Sequence, residues 1–420
     1  MQLFFTWKRS CCFIIANVIS IYIFSQNTNA PYSVYGIGDI DNDSYNRTSG
    51  MGGTGLAIKS SVFLIDNNPA ALTGLTRSFL IGSIAGTGKS FSFSGDPINA
   101  TNSNSKDFWI KRFAVAVKIN KFWGSEFGIG QFSNVNYNFS GSQFIEGTND
   151  TYLANYQGDG GLNEYHWTNA VGLGKHFSFG LKSSFIAGSI NQTEILNEAN
   201  IQTSISTKQQ DYITSFRFQG GALFETAVNK DWDLSIGAKY SPKTRLSADR
   251  ALTVTENNII VVNDRYIKSD RFYLPVTYAG GIALKHNKKT TFTADYTYED
   301  WSSLGIKETG WQLINSNRVS AGAEFSNYKS DRGFLVERRF YQVGAYVNNS
   351  YLQIRNTPIN EWGITAGMGG SVRNQFLYTL SLQGGVRGTT DQKLIKETYV
   401  GFTVTLSYRD ILLSKGRKLD

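Results

Sequence analysis

Apolar and polar residues alternate along most of this chain, from about Phe79 to its end. In Arg112–Lys118, Phe113, Val115 and Val117 share one face, and the two terminal bases lie on the other. Residues 399–408 repeat this pattern near the C-terminus. Because successive side chains of a strand point to opposite faces, a period of two predicts β-strands with one apolar and one polar face.

The same test along the chain predicts fourteen strands. Most of them reach the length of about 9 to 11 residues that a tilted strand needs to cross a bilayer. Outside the N-terminal leader, the sequence has no apolar run long enough for a membrane-spanning helix. We therefore predict an all-β fold, a 14-stranded antiparallel transmembrane β-barrel. The predicted strands are 79–94, 111–120, 125–139, 163–175, 178–192, 211–228, 232–241, 272–285, 290–299, 317–326, 338–348, 361–371, 374–387 and 397–409.

The connections between these strands alternate between short and long. Outer-membrane barrels have short periplasmic turns and long extracellular loops, so this order predicts periplasmic termini and seven external loops. A soluble two-sheet sandwich would also show alternating strands, but it has no reason to sort its loops in this way. Residues 327–337 are an exception, because a short turn is expected there. The long connections are 95–110, 140–162, 193–210, 242–271, 300–316, 349–360 and 388–396.

The chemistry of the two strand faces predicts which one meets lipid. Charged residues are costly in a bilayer, so the charged face must line the lumen and the apolar face must point outward. Trp123, Trp232, Tyr240 and Trp362, near strand ends, would form the interfacial girdles. The residues predicted to face lipid are Phe216, Phe218, Phe224, Leu234, Ile236, Phe292, Tyr296, Tyr298, Phe376, Tyr378, Leu380 and Leu382. Those predicted to face the lumen are Arg112, Lys118, Lys182, Arg217, Glu225, Lys239, Asp295, Glu299, Arg318, Glu324 and Glu361.

Composition supports one barrel rather than the two or three soluble domains that 420 residues would suggest. Glycine contributes 42 residues and aromatic residues 14% of the chain, whereas charged residues make up only 18%. A mean hydropathy of -0.26 excludes a bundle of membrane helices. The formal net charge is +8, but the bases are scattered without a long run, so we expect no nucleic-acid partner.

The first thirty residues have the pattern of a secretory signal peptide. Lys8 and Arg9 precede an apolar run from Cys11 to Phe24, and small residues end the segment at Ala30. A single membrane anchor is the alternative, although the run is shorter than a membrane span. Removal of residues 1–30 would take away both cysteines, leaving no disulfide and no thiolate ligand.

Residues 31–78 do not follow the strand pattern. They are rich in Gly, Asn and Asp and precede the first predicted strand. A barrel of fourteen strands encloses a lumen too wide for its own side chains to fill, so we predict that this segment is a plug. The predicted organisation is a signal peptide at 1–30, a plug at 31–78, the barrel at 79–409 and a periplasmic tail at 410–420.

Two motifs in the predicted plug resemble a known family. Asp66-Asn-Asn-Pro-Ala-Ala-Leu72 follows the glycine-rich stretch Gly50–Ile58. Together they resemble the N-terminal hatch, with its Asn-Pro-Ala signature, of the FadL/TodX long-chain fatty-acid outer-membrane transporters. Arg318–Phe325 and Ile359–Gly369 are similar to late strands of that family. The resemblance follows the chain in order, and the family's barrel also has fourteen strands.

The resemblance implies a passive outer-membrane channel for hydrophobic small molecules of the fatty-acid type. A ligand would enter from outside and pass a movable hatch, whose signature is matched here by Asn68, Pro69 and Ala70. For the Asn-Pro pair alone, a simple turn is the alternative. The long stretch 242–271 and the tail depart from the family pattern. They leave open a second function, a barrel scaffold that docks a secretion or surface-assembly partner through its long extracellular loops.

Lumen residues that could contact a ligand follow from strand parity. The aromatic and aliphatic candidates are Phe132, Ile186, Tyr273, Tyr346, Leu377 and Tyr399. Arg217 or Arg318 could hold a carboxylate head group by charge-assisted hydrogen bonds. The alternative is that the apolar candidates pack against the plug and that the arginines pair with lumen acids such as Glu225 or Glu324.

Several motifs resemble catalytic or cofactor sites but lack the required context. Gly50–Gly55 matches a dinucleotide-binding pattern but follows no strand, and Ser83–Ser90 lacks the first glycine of a phosphate loop. Asp39, Asp41 and Asp43 alternate like calcium ligands without the other positions of an EF-hand. The three histidines show no metal-ligand or triad spacing. We therefore predict no enzyme activity, no metal and no cofactor, with lipid and a hydrophobic ligand as partners.

Overall fold

A computed structural model describes residues 30–76, 79–96, 98, 103–144, 151–198, 203–331, 334–372 and 375–411. The predicted signal peptide, apart from Ala30, and residues 412–420 of the predicted tail lie outside these ranges. Within these ranges lie five short 3-10 turns, at Pro31–Val34, Arg47–Met51, Pro69–Gly74, Ser302–Leu304 and Asp391–Lys393. In the part of the chain that the structure describes, no helix is long and apolar enough to cross a membrane.

The described strands form one antiparallel sheet of nineteen members. They are β1 Asp39–Ile40, β2 Phe79–Gly95, β3 Asn104–Lys118, β4 Trp123–Phe144, β5 Thr151–Leu173, β6 Phe177–Glu198, β7 Thr203–Ala227, β8 Trp232–Ser241, β9 Thr244–Glu256, β10 Ile259–Leu274, β11 Thr277–His286, β12 Thr290–Glu299, β13 Lys307–Glu308, β14 Trp311–Leu313, β15 Ser316–Asp331, β16 Phe334–Ile354, β17 Thr357–Val372, β18 Phe376–Arg387 and β19 Ile395–Ile411.

The sheet closes on itself because its first long strand pairs with its last. β2 and β19 pair along their full length, from Phe79 opposite Ile411 to Gly95 opposite Ile395. Short breaks that contain a proline separate β8 from β9 and β10 from β11. β8 with β9 forms one crossing of the wall, and β10 with β11 forms the next. Without β1, β13 and β14, this makes fourteen crossings. The predicted 14-stranded antiparallel barrel is confirmed, and every predicted strand overlaps an observed one.

The strands on the side of the long connections extend further than the sequence pattern predicts. β4 to β7 contain between 22 and 25 residues each. Residues 242–271, predicted as a loop, instead form most of a β9–β10 hairpin closed at Asn257 and Asn258, both with positive φ. On the side of the short turns, the unexpectedly long connection 327–337 extends the β15–β16 hairpin to the pair Asp331 and Phe334. Backbone pairing continues beyond the apolar belt, where both faces meet water and alternation is lost.

The two faces of the wall have the predicted chemistry. Phe216, Ile364 and Leu382 point outward and are between 61% and 69% exposed, in a belt of similar apolar residues. On the opposite face, Arg112 and Glu126 are only 4% and 2% exposed. The apolar side chains therefore form the lipid-facing surface, and the charges are enclosed.

Residues 30–76, here called the N-terminal segment, lie against the inner side of the wall. Glycines in the wall allow this close approach. A Cβ added at Gly237 would lie 1.9 Å from the carbonyl oxygen of Leu56, and one added at Gly344 would lie 2.2 Å from the carbonyl carbon of Met51. A larger residue at either position would push the segment away from the wall.

The lipid-facing belt predicts the effect of a charge introduced at its centre. Leu382, in the middle of β18, is 62% exposed, and we expect Leu382→Arg to lower the free energy of unfolding by about 2 to 4 kcal/mol. Ile259 is 71% exposed near the tip of the β9–β10 hairpin, so Ile259→Arg should change it by only about 0.5 kcal/mol. Urea unfolding from vesicles measures both. Equal effects of the two substitutions would contradict the membrane position of the belt.

Candidate functional site in the barrel interior

Three alternating acids tie the start of the N-terminal segment to three different strands. The acids belong to the repeat that resembles calcium ligands, and the structure pairs each one with a base. The ion pairs are Asp39 with Arg387 of β18 (2.9 Å), Asp41 with Lys111 of β3 (2.8 Å) and Asp43 with Lys89 of β2 (2.6 Å). Burial raises the pKa of Asp43, but the charges of Lys89 and Arg318 outweigh this effect and hold it well below its usual range.

Arg47 is the most completely paired base of the segment. Its guanidinium lies 2.7 Å from Glu324 of β15 and 2.6 Å from Glu337 of β16, and its Cζ is 4.2 Å from the ring centre of Phe340. Gln342 donates a hydrogen bond to the Arg47 carbonyl at 2.9 Å. One buried cation thus joins the segment to two neighbouring strands by charge, stacking and a backbone contact.

Asn68, Pro69 and Ala70, which match the hatch signature, form the start of a 3-10 turn. The Asn68 side chain accepts a hydrogen bond from the Ala70 amide at 3.0 Å, and Pro69 occupies the first position of the turn. The Asn68 amide group also donates to the carbonyls of Leu56, at 2.8 Å, and of Ala222 in β7, at 3.0 Å. Asn68 is fully buried, so this side chain connects two parts of the segment with the wall.

A second wall contact uses a carboxylate against backbone amides. Asp295 of β12 accepts hydrogen bonds from the amides of Gly55 and Leu56, at 2.7 and 3.0 Å. The lumen acid therefore satisfies two backbone amides of the segment that lie outside any strand or helix and take no part in backbone pairing.

The centre of the lumen contains a network of buried acids and bases. Burial raises the pKa of Asp66, but the charges of Arg112 and Lys182 outweigh it and lower the value to about 2. Asp66 therefore stays ionised at neutral pH. The contacts of the network are Asp66 with Arg112 (3.1 Å), Arg112 with Glu126 (2.9 Å), Glu126 with His166 (3.4 Å) and Glu164 with Lys182 (2.6 Å).

The predicted ligand residues lie at separate places. Phe132 and Ile186 belong to an apolar cluster on the side of the long connections, here called the outer apolar cluster. Tyr273 lies apart from it, with Lys243 Nζ 5.0 Å from its ring centre, whereas its neighbour Leu274 is in the cluster. The buried members are Ile37, Phe132, Val135, Tyr137, Leu162, Ile186, Ile190, Ile213, Leu246, Ala248, Leu274 and Trp301.

The other candidates make polar or packing contacts. The hydroxyls of Tyr346 and Tyr399 are hydrogen-bonded to each other, and Tyr399 also donates to Glu361. The Cζ of Arg318 lies 4.2 Å from the ring centre of Tyr346. Leu377 packs with Phe63 and Phe340, and Arg217 lines the lumen beside Phe132. The eight candidates do not form a single pocket, and their role in ligand binding stays a prediction.

Three cavities remain between the described part of the segment and the wall. The central one, of about 270 Å³, has mainly polar and charged walls, and Phe132, Leu274 and Trp301 line one part of it. A smaller one, of about 120 Å³, adjoins the ion pairs of the three alternating acids. The third, of about 320 Å³, lies at the opposite end of the segment between Lys59, Lys285 and neighbouring charged residues. Among the described residues, no group of three or more His, Cys, Asp and Glu side chains is arranged to hold a metal ion.

A family model named BamG matches residues 8–418 of the sequence. The chain belongs to the BamG family. No curated protein sequence matches this BamG-family chain. Its fold is similar to several solved barrels, and the resemblance to the FadL/TodX family is confirmed at the level of the fold.

Three of these solved structures align with this chain over nearly their whole length. The Ralstonia pickettii toluene transporter TbuX has a TM-score of 0.61 at 15% identity, over 87% of this chain and 98% of that one. A Pseudomonas aeruginosa FadL homologue has a TM-score of 0.60 at 12% identity, over 90% of this chain and 100% of that one. The Pseudomonas putida toluene transporter TodX has a TM-score of 0.56 at 12% identity, over 90% of this chain and 100% of that one. At such low identity, the similarity establishes the fold of this BamG-family barrel and nothing finer.

The Arg47 contacts predict a large loss of stability when the cation is removed. Arg47→Met leaves Glu324 and Glu337 buried without their partner, and we expect the free energy of unfolding to fall by roughly 3 to 5 kcal/mol. The triple variant R47M/E324Q/E337Q should recover part of this loss, because no uncompensated charge remains.

Arg355 provides the matched control, since it is exposed and donates only to backbone carbonyls. We expect Arg355→Met to cost less than about 1 kcal/mol. Denaturant titration followed by tryptophan fluorescence measures all three variants. A loss of similar size for both arginines would contradict the role assigned to Arg47.

Proposed function

We propose that this BamG-family barrel lies in the outer membrane of a Gram-negative cell, with both termini in the periplasm, and passes hydrophobic small molecules inward. The outer apolar cluster carries this proposal. It lies at the end of the barrel with the long connections and includes Phe132 and Ile186 from the wall and Ile37 from the N-terminal segment. A hydrophobic molecule arriving from outside would find its most favourable lumen surface there.

The similar solved structures support the same class of ligand. TbuX and TodX are described as toluene transporters, and their fold is shared over nearly the whole of their chains. Within this class we propose a ligand of the fatty-acid type. This choice rests on the resemblance of Asn68, Pro69 and Ala70 to the hatch motif.

In this proposal the N-terminal segment is the plug. Below the outer apolar cluster the lumen is charged and crossed by the segment, so passage requires some part of the segment to move. The Pro69–Gly74 turn is a suitable moving part, because a neutral hydrogen bond of Thr73 joins it to β6 and a single donor, the Lys118 ammonium, joins it to β3. Thr73 Oγ1 lies 2.9 Å from Ser178 Oγ, a distance that two cysteine sulfurs could bridge after substitution.

A reversible disulfide tests this mechanism. We expect cells that produce the T73C/S178C variant to lose uptake of labelled oleate when oxidised and to regain it after reduction. The matched control is S83C/S407C, whose hydroxyl oxygens are also 2.9 Å apart but belong to β2 and β19 of the wall. The described part of the chain has no cysteine of its own, so each variant contains one engineered pair.

The control disulfide should leave uptake unchanged in both states. Equal uptake by oxidised and reduced T73C/S178C would show that this turn does not move. Absence of uptake by the unmodified chain, with toluene as well as oleate, would contradict the channel itself.

One feature favours a second candidate function, a scaffold for a secretion or surface-assembly partner. The β9–β10 hairpin projects beyond the ends of β8 and β11, and within the described residues β10 pairs only with β9. Its tip exposes Ile259, Ile260 and Val261 by 57% to 71%. A free strand edge with exposed apolar side chains is suited to pairing with an extended segment of another protein.

Shortening this hairpin separates the two functions. Replacing residues 251–266 by a two-residue turn keeps the ends of β9 and β10 that adjoin the wall, including Ala248 of the outer apolar cluster. If the chain is a channel, uptake by this variant should persist. Loss of a stoichiometric partner on native gels, with no uptake by either protein, would instead support the scaffold.

A further inference from the structure

Two basic side chains on the neighbouring strands β7 and β8 line the central cavity without a carboxylate partner. Arg217 of β7 donates from Nε to Ser241 Oγ at 3.1 Å, and its Cζ is 5.8 Å from the ring centre of Phe132. Lys239 of β8 lines the same cavity. Across the described ranges, neither forms an ion pair, and neither the Arg217 Nη groups nor the Lys239 Nζ makes a hydrogen bond within the chain.

Three other bases around this cavity differ, because each has an acid within 3 Å. Lys111, Arg112 and Lys182 are paired in this way. A fourth, Arg318, stacks on the ring of Tyr346 at 4.2 Å and donates to the Gly52 carbonyl at 3.4 Å. The acids nearest to Lys239 already accept neutral donors. Asp295 accepts the Gly55 and Leu56 amides, and Glu299 accepts the indole N–H of Trp301 at 2.8 Å. The Nη groups of Arg217 and the Nζ of Lys239 therefore face the cavity as donors that no carboxylate of the described chain occupies.

Elementary electrostatics makes this arrangement costly without an anion. An enclosed charge loses much of its hydration, and two like charges on neighbouring strands repel each other. An anion in the cavity would relieve both effects. Thr277 Oγ1 is buried, has no partner within the described chain and lines the same cavity, so it offers a neutral donor nearby.

We propose that Arg217 and Lys239 form a binding site for a small oxyanion of the carboxylate or phosphate class. The planar guanidinium suits two oxygens of one anion, and the ammonium supplies a point charge beside it. A cavity of about 270 Å³ is large enough for acetate or phosphate together with a few waters, since each water needs roughly 30 Å³. This site is independent of whether the barrel is a channel or a scaffold.

Thermal unfolding of the purified full chain in detergent micelles tests the site. Sodium acetate and sodium phosphate, compared with sodium chloride at equal ionic strength, should raise the unfolding midpoint and saturate, as expected for a ligand of the folded state. The double variant R217Q/K239M should lose this response. Lys285 lines the cavity at the opposite end of the segment, so K285M is the matched control and should retain the response to acetate and phosphate.

An equal acetate or phosphate response in R217Q/K239M and in the unmodified chain would overturn the site, and so would the absence of any response in the unmodified chain. If the double variant does not fold, crystals of the unmodified chain soaked in selenate keep the proposal testable. Anomalous density for selenium within hydrogen-bond distance of Arg217 and Lys239 is the expected result. An empty cavity at saturating selenate would contradict it.

Discussion

The rest of the structure depends on how charge is neutralised inside the barrel. The outer face of the wall meets lipid, so the charged side chains of the strands are confined to the lumen, where isolated charges are costly. The N-terminal segment supplies the opposite charges. Asp41, Asp43 and Asp66 meet bases of the wall, and Arg47 meets Glu324 and Glu337. The segment and the wall are therefore electrostatically complementary parts of one interior.

Close backbone contact is the second requirement of this arrangement. Charge pairing holds the segment only if it can come near the strands, and Gly237 and Gly344 remove the side chains that would prevent this. The polar contacts of Asn68 and Asp295 then satisfy backbone groups that would otherwise be buried without partners. The high glycine content and the hatch motif thus have a common physical reason.

Much of the wall could be predicted from the sequence, because alternation is a direct consequence of a strand between lipid and lumen. The same signal disappears where both faces meet water, and for this reason residues 242–271 were expected to form a loop rather than the β9–β10 hairpin. The interior contacts are harder to predict. The alternation of a strand assigns Glu324 to the lumen face but does not identify its partner, because Arg47 is 277 residues away in the chain.

The candidate ligand residues could also be predicted only in part. Strand alternation assigns Phe132 and Ile186 to the lumen side, where they lie in the outer apolar cluster. The break beside Pro275 interrupts the alternation, so that Leu274 lies in the cluster instead of Tyr273. The outer apolar cluster and the charged lumen below it are neighbouring regions with different chemistry. The proposed channel requires the segment to move, whereas the scaffold does not.

Amide hydrogen exchange of the full chain in lipid nanodiscs tests most directly whether the N-terminal segment is held inside the barrel. The amides of Gly55 and Leu56 donate to Asp295, so the account predicts that residues 46–58 exchange as slowly as the barrel strands. Exchange of this stretch at the rate of a solvated peptide would contradict the account.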